Sequence, residues 1–141
     1  MKNLVFAGIL LWIVSCTSTK PPMSSSEGNA AVSDTVRIAN EELQYEVIII
    51  DGGFNTWLAT NARPRNYYSQ PYLENRNRTW VIEWNNRVRF PRGREVNLFQ
   101  MPIDYQNGID YGYEVNYLLY NYLTYFQITN NIALGGFTPR I

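Results

Sequence analysis

Cys16 is the only cysteine in the chain, and it sits at the end of a leader. Met1-Lys2-Asn3 opens with a basic residue. An apolar run of about eleven residues, Leu4 to Val14, follows, and then Ser15 and Cys16. A basic start, a short apolar middle and a small residue before the cut predict a secretory signal peptide. A spanning helix needs about 20 apolar residues, so the segment is expected to be exported and removed rather than kept as a span. Ile13-Val14-Ser15-Cys16 resembles a bacterial lipobox, which makes Cys16 the expected acylated N-terminus of the mature chain. The folded part then has no disulfide and must be held by a hydrophobic core alone. Roughly 105 residues suffice for one such core.

The layout follows from composition along the chain. Residues 1–15 read as signal peptide. Residues 16–34, with Pro21-Pro22, Ser24-Ser25-Ser26 and Gly28, lack the apolar material for a core and read as the lipidated cysteine plus a disordered tether. Such a tether spans roughly 20–25 Å. Residues 35–129 read as one globular domain. Asn130–Ile141, with Gly135-Gly136 and Pro139, reads as a flexible tail.

Within the domain, Thr35–Ile38 and Leu43–Ile50 are expected strands joined by Asn40-Glu41-Glu42. The second turns apolar on both faces, as in the middle of a small sheet. Asp51-Gly52-Gly53 lacks the spacing of a dinucleotide or P-loop motif and reads as a tight turn. Asn55 is the expected cap of a short helix, Thr56–Ala62, stopped by Pro64. Ser69 and Pro71 open a helix carrying Leu73, Trp80, Val81, Trp84 and Val88 at helical spacing up to about Arg89, ended by Pro91 and Gly93. Phe99, Met101, Ile103 and Tyr105 then alternate with polar or imino neighbours, predicting an edge strand within Val96–Tyr105, with Pro102 lacking an N–H. Val115, Leu118, Leu119, Tyr122, Leu123 and Phe126 form a helical stripe, with Asn116, Tyr117, Tyr120, Asn121 and Thr124 at its sides. Asp110 is its expected N-cap, and Glu114 is placed near its positive end. The fold class is therefore α+β: a sheet of about three strands packed by two long helices and one short one.

Absences narrow the chemistry. There is no histidine, and the only lysines are Lys2 and Lys20. This excludes a Ser-His-Asp triad, histidine-ligated zinc, a Cys-His nucleophile and a P-loop or Schiff-base lysine in the domain. The EF-hand register fails on Asp104–Val115, because position six is Ile109 and position twelve is Val115. No cofactor and no metal are expected. Carboxylates, tyrosines and arginines remain. Residues 63–94 hold eight arginines against Glu74 and Glu83. The pairs Glu74/Arg78 and Glu83/Arg87 are spaced i,i+4 in the favourable order, as on a solvated helix face.

Trp80, Glu83, Trp84 and Arg87 share one helical face. With Asp104 and Asp110 they form the candidate binding face, for which a core helix with two buried tryptophans is the plainer alternative. The functional expectation is a membrane-tethered envelope lipoprotein acting as a binding module for envelope protein or glycan, lipid-anchored at the periplasmic face of the outer membrane. Nucleic acid is not expected there. The alternative is a carboxylate-based glycan hydrolase pairing Glu83 with Asp104 or Asp110.

Asp34-Thr-Val-Arg-Ile-Ala-Asn40, Tyr45-Glu-Val-Ile-Ile-Ile-Asp51, Tyr72-Leu-Glu-Asn75, Glu83-Trp-Asn-Asn-Arg87 and Ile109-Asp-Tyr-Gly-Tyr-Glu-Val-Asn-Tyr-Leu-Leu-Tyr-Asn-Tyr122 carry a resemblance. They resemble a family of bacterial lipoproteins catalogued as domain of unknown function 6146, over roughly residues 34–127. That resemblance implies no activity, ligand or catalytic residue.

Overall fold

The computed structural model describes residues 35–141. The leader, Cys16 and the tether lie outside the described residues. The order of elements is β1 (Thr35–Asn40), β2 (Tyr45–Ile50), α1 (Phe54–Asn61), α2 (Gln70–Arg89), a 3-10 turn (Gly93–Asn97) and α3 (Tyr113–Thr129). The architecture is α+β, with a two-stranded antiparallel sheet and three helices.

β1 and β2 form a hairpin in which Ile38 faces Val47 and Val36 faces Ile49. Those pairs share the inward face, and Ile38 and Ile49 are buried. The hairpin ends are set by two contacts. Near its loop, Asn40 Nδ2 donates to the Tyr111 carbonyl (3.0 Å) and Tyr45 packs on Tyr111. At its open end, the Tyr125 hydroxyl donates to Asp51 Oδ1 (2.8 Å). The loop therefore lies beside the start of α3 and the open end beside its finish. Gly53, just past β2, is in near contact with α3. A Cβ there would fall 2.5 Å from the Tyr125 hydroxyl.

The expected third strand is not a strand. Phe99 and Ile103 do turn inward, but the backbone from Phe99 to Gln106 pairs with no strand. Side chains of α2 take its hydrogen bonds instead. Asn85 accepts from Ile103 N–H (2.8 Å) and donates to the Ile103 carbonyl (2.9 Å), while Trp84 Nε1 donates to the Met101 carbonyl (2.8 Å). One asparagine amide thus offers the donor and acceptor that a neighbouring strand would offer. Consequently β2 is not the middle of a sheet, and Ile50 is 79% exposed.

α1 begins at Phe54, two residues earlier than Asn55 capping would place it, with Gly53 as N-cap. α2 buries Leu73, Asn77, Trp80, Val81 and Trp84. α3 starts after Gly112, whose φ of 79° is a backbone state that glycine adopts without penalty. Asp110 is not the N-cap. Its Oδ1 accepts from Gly112 N–H and from Gln70 Nε2.

α2 and α3 run parallel. Asn77 meets Asn116, Trp80 stacks on Tyr120 (5.3 Å) and Trp84 lies on Phe126 (4.6 Å). Parallel neighbours need a long return, which residues 90–112 supply by running back along α2. α3 is the central element. The positions expected at its sides, Asn116, Tyr117, Tyr120, Asn121 and Thr124, are all buried, because α2, β1 and α1 pack around it. Its amides survive burial by bonding backward: Asn116 to the Gly112 carbonyl, Asn121 to that of Tyr117, Gln127 to that of Leu123. Asn130–Ile141 forms no regular element, yet Leu134 is wholly buried and its N–H donates to Gln127 Oε1 (2.7 Å).

Burial of so many phenols has a consequence at high pH. Loss of water around the phenolate pushes Tyr105 and Tyr122 up to about 12, and also raises Tyr45 and Tyr120. The unfolded chain releases those protons near pH 10 and the folded one later. Folding stability is therefore full below pH 10 and falls between about 10 and 12. Absorbance at the phenolate band is expected to show these tyrosines ionising together with unfolding. A single smooth titration near pH 10 with the fold intact would contradict their burial.

Candidate functional site

The face anticipated on α2 is divided by the fold. Trp80 is 1% exposed and Trp84 6%, so both indoles belong to the core. Trp84 is enclosed by Phe99 and Phe126, and Trp80 by Tyr120. Apolar area drives the rings inward, and the plainer reading of that spacing holds for them. Glu83 accepts from Arg87 Nε (2.9 Å), and Arg87 also reaches Glu95 (3.1 Å) and the Ala133 carbonyl (2.5 Å). That arginine ties α2 to the 3-10 turn and to the segment after α3. Asp104 is exposed and accepts from its neighbour Gln106. Asp110 lies at the opposite end of α2 from Glu83, which is nine residues beyond Glu74. That is roughly 13 Å along the helix. Glu83 and Asp110 are therefore not a facing pair. Cys16 lies outside the described residues.

Two concave regions stand out. The first, about 440 Å³, is lined by Gln70, Glu74, Arg78, Tyr105, Ile109 and Asp110. Gln70 Nε2 donates to both Glu74 Oε1 (2.7 Å) and Asp110 Oδ1 (2.6 Å). Both carboxylates thus sit against one amide nitrogen, and Glu74 is held by Gln70 rather than by Arg78 as its i,i+4 spacing suggested.

The second, about 340 Å³, lies between α2, α3 and the C-terminal segment. Tyr72, Arg76, Trp80, Tyr120, Phe137 and Arg140 line it. The Arg76 guanidinium is held between two rings, 3.7 Å from the Phe137 centroid and 5.2 Å from that of Tyr72. Stacking fixes its plane and leaves its edge N–H groups for a planar acceptor. Arg76 and Arg140 have no carboxylate partner among the described residues, and no acid lines the pocket. Trp80 Nε1 is buried without a hydrogen-bond partner. A buried donor left unpaired is costly, by about 1–3 kcal/mol. The pocket is therefore electropositive, aromatic-walled and short of acceptors. The sequence contains its parts but not their meeting: Phe137 and Arg140 come from a segment that reads as a loose tail.

The chain belongs to the family of unknown function DUF6146, whose model matches residues 4–139. No curated protein and no solved structure matches it. The match extends beyond the stretches that carried the resemblance and takes in both the leader region and the segment bearing Phe137. Among the described residues of this DUF6146 chain, no group of three metal-ligating side chains converges. None of its described helices is long and apolar enough to cross a membrane.

Proposed function

We propose that this DUF6146 protein is a membrane-tethered envelope lipoprotein that binds an anionic ligand in the Arg76–Arg140 pocket. The tether is read from the lipobox ending at Cys16, with the mature domain facing the periplasm from the outer membrane. The observation carrying the binding reading is the pair of guanidiniums without carboxylate partners in an aromatic-walled pocket. A carboxylate or phosphate answers the two charges, and a flat or apolar body answers Tyr72, Tyr120 and Phe137. Envelope glycans carrying lactyl or peptide carboxylates have that chemistry.

Trp80 in the wall makes intrinsic fluorescence the natural reporter. Titration with muramyl dipeptide, and separately with inorganic phosphate, is expected to change the emission saturably. Arg76→Gln or Arg140→Gln is expected to weaken the response by about tenfold or more, since a charge-assisted bond contributes about 1.5–3 kcal/mol. Both arginines lie on the rim of the fold, so melting temperature should hardly move. Equal responses in parent and variants, or none with either probe, would remove the pocket as the binding site.

A second reading, a carboxylate-based glycan hydrolase, draws on Glu74 and Asp110 rather than on the pairs with Glu83. Their shared contact to Gln70 Nε2 (2.7 and 2.6 Å) brings the two carboxylates together at one place on the pocket wall, and such a reaction needs a facing pair of acids. New reducing ends released from peptidoglycan by the parent chain and not by Glu74→Gln would favour it.

A further inference from the structure

The molecule has two unlike poles. At one lie the hairpin loop, the start of α2 and the start of α3, joined by the Asn40–Tyr111 and Gln70–Asp110 contacts. Its exposed residues include Glu41, Glu42, Asp104 and Asp110. At the other lie the open end of the hairpin, fixed by Asp51–Tyr125, and the ends of α2 and α3, tied through Arg87 and Ala133. Three exposed apolar side chains lie at this second pole, while Leu43 and Ile109 are exposed at the first. Phe90 is 71% exposed, Ile50 79%, and Val96 also faces out. Phe90 stands between exposed Arg89 and Arg92, and neither arginine has an acidic partner among the described residues. Thr35, where the first 34 residues join the fold, pairs with Ile50 and so belongs to the same pole.

From this coincidence we infer that the Ile50–Phe90 pole docks on an anionic lipid surface, with the domain lying against the bilayer that its N-terminal segment approaches. An aromatic ring flanked by arginines matches the headgroup boundary. The ring enters the acyl edge, and the guanidiniums meet phosphates. The exposed acids Glu41, Glu42, Asp104 and Asp110 then face away from the anionic surface, while Asp51 and Glu95 at the docked pole are held by Tyr125 and Arg87, so the charge distribution orients the domain as well as holding it. The docking goes beyond the ligand reading and uses the tether only for the direction of approach.

Vesicles of phosphatidylethanolamine with about 30% phosphatidylglycerol and the whole chain test it. Benzoylphenylalanine is placed at Phe90, Ile50 or, as the far-pole control, Glu42. Photolysis is expected to attach lipid at positions 90 and 50 and not at 42. Arg89→Gln with Arg92→Gln is expected to lower lipid adducts at 90 by about fivefold or more at low salt, and less at high salt. Equal adducts at 90 and 42 on floated vesicles, no association with vesicles, or adducts at 90 to a second copy of the chain would overturn the docking. Flotation of Cys16→Ser is a separate readout. If it floats as the parent does at high salt, where the docking is screened, the lipid-anchor reading fails while the adducts still decide the docking.

Discussion

Trp84→Ala is expected to destabilise the domain by about 3–5 kcal/mol, the range for emptying a buried aromatic site. The indole fills a space bounded by Phe99 (4.9 Å), Phe126 (4.6 Å) and Tyr122 (6.2 Å). The neighbouring rings are themselves packed, since Phe99 also meets Phe126 (5.5 Å) and Tyr122 also meets Phe54 (5.4 Å), so little is free to collapse into it. Its N–H also closes the Met101 carbonyl, one of three bonds from Trp84 and Asn85 that attach the Met101–Ile103 stretch of the return segment to α2. Loss of both the ring and the bond should therefore exceed the cost of either. Trp84→Phe keeps most of the apolar volume and drops the bond, and is expected to cost less than half as much. Urea unfolding followed by circular dichroism measures both. A loss below about 1 kcal/mol for Trp84→Ala would mean that the return segment is held by other contacts. A domain of this size has about 5–15 kcal/mol in total, so the alanine variant should still fold but melt far earlier.

The same residue shows what periodicity can and cannot report. Trp80 and Trp84 recur with Leu73 and Val81 on α2, and this pattern says that a helix exists and which side is apolar. It does not say whether the apolar side meets a ligand or another helix. The fold decides that by placing α3 there. α3 itself was legible as a helix, yet its stripe described only half of what it buries. Asparagines and a threonine mark a helix side as wet when only period is considered. Here Asn116, Asn121 and Gln127 are buried because each amide answers a carbonyl one turn back. That exchange leaves no trace in a hydrophobicity pattern.

The return segment fails for a related reason. Phe99, Met101, Ile103 and Tyr105 alternate as a strand does, and the backbone is extended. The partner that completes a sheet is a property of the whole fold, and Asn85 took that place. With no third strand, Ile48 and Ile50 stay exposed, although their run of isoleucines looks like the centre of a sheet. The arginine pocket was not legible in the sequence. The face expected there was Trp80, Glu83, Trp84 and Arg87 with Asp104 and Asp110, and of these only Trp80 lines the pocket. The pocket is formed by Arg76 and Tyr72 with Phe137 and Arg140, residues that only tertiary contact brings together.

Asn116→Leu is expected to cost about 2–4 kcal/mol despite the gain in apolar volume. Asn116 is 0% exposed. Its Oδ1 accepts from the Tyr105 hydroxyl (2.7 Å) and from Asn77 Nδ2 (3.2 Å), and its Nδ2 donates to the Gly112 carbonyl (2.8 Å). One side chain therefore connects α2, the return segment and the start of α3. Leucine leaves the Tyr105 hydroxyl without its partner and the Gly112 carbonyl with only the longer bond from the backbone N–H of residue 116 (3.3 Å), and an unpaired buried group costs about 1–3 kcal/mol. Asn77 keeps its bond to the Asn116 backbone carbonyl (2.9 Å), so part of the junction survives and the estimate stays below the sum of all contacts. Asn116→Asp separates the two halves of the amide. It keeps the acceptors for Tyr105 and Asn77 but sets a carboxylate oxygen against the Gly112 carbonyl. Burial then favours the protonated acid, which can donate to that carbonyl. The aspartate variant should accordingly be more stable at pH 4 than at pH 8, while the leucine variant shows no such difference. Identical pH dependence in the two would show that the amide is not bonded to Gly112, and the start of α3 would need another support.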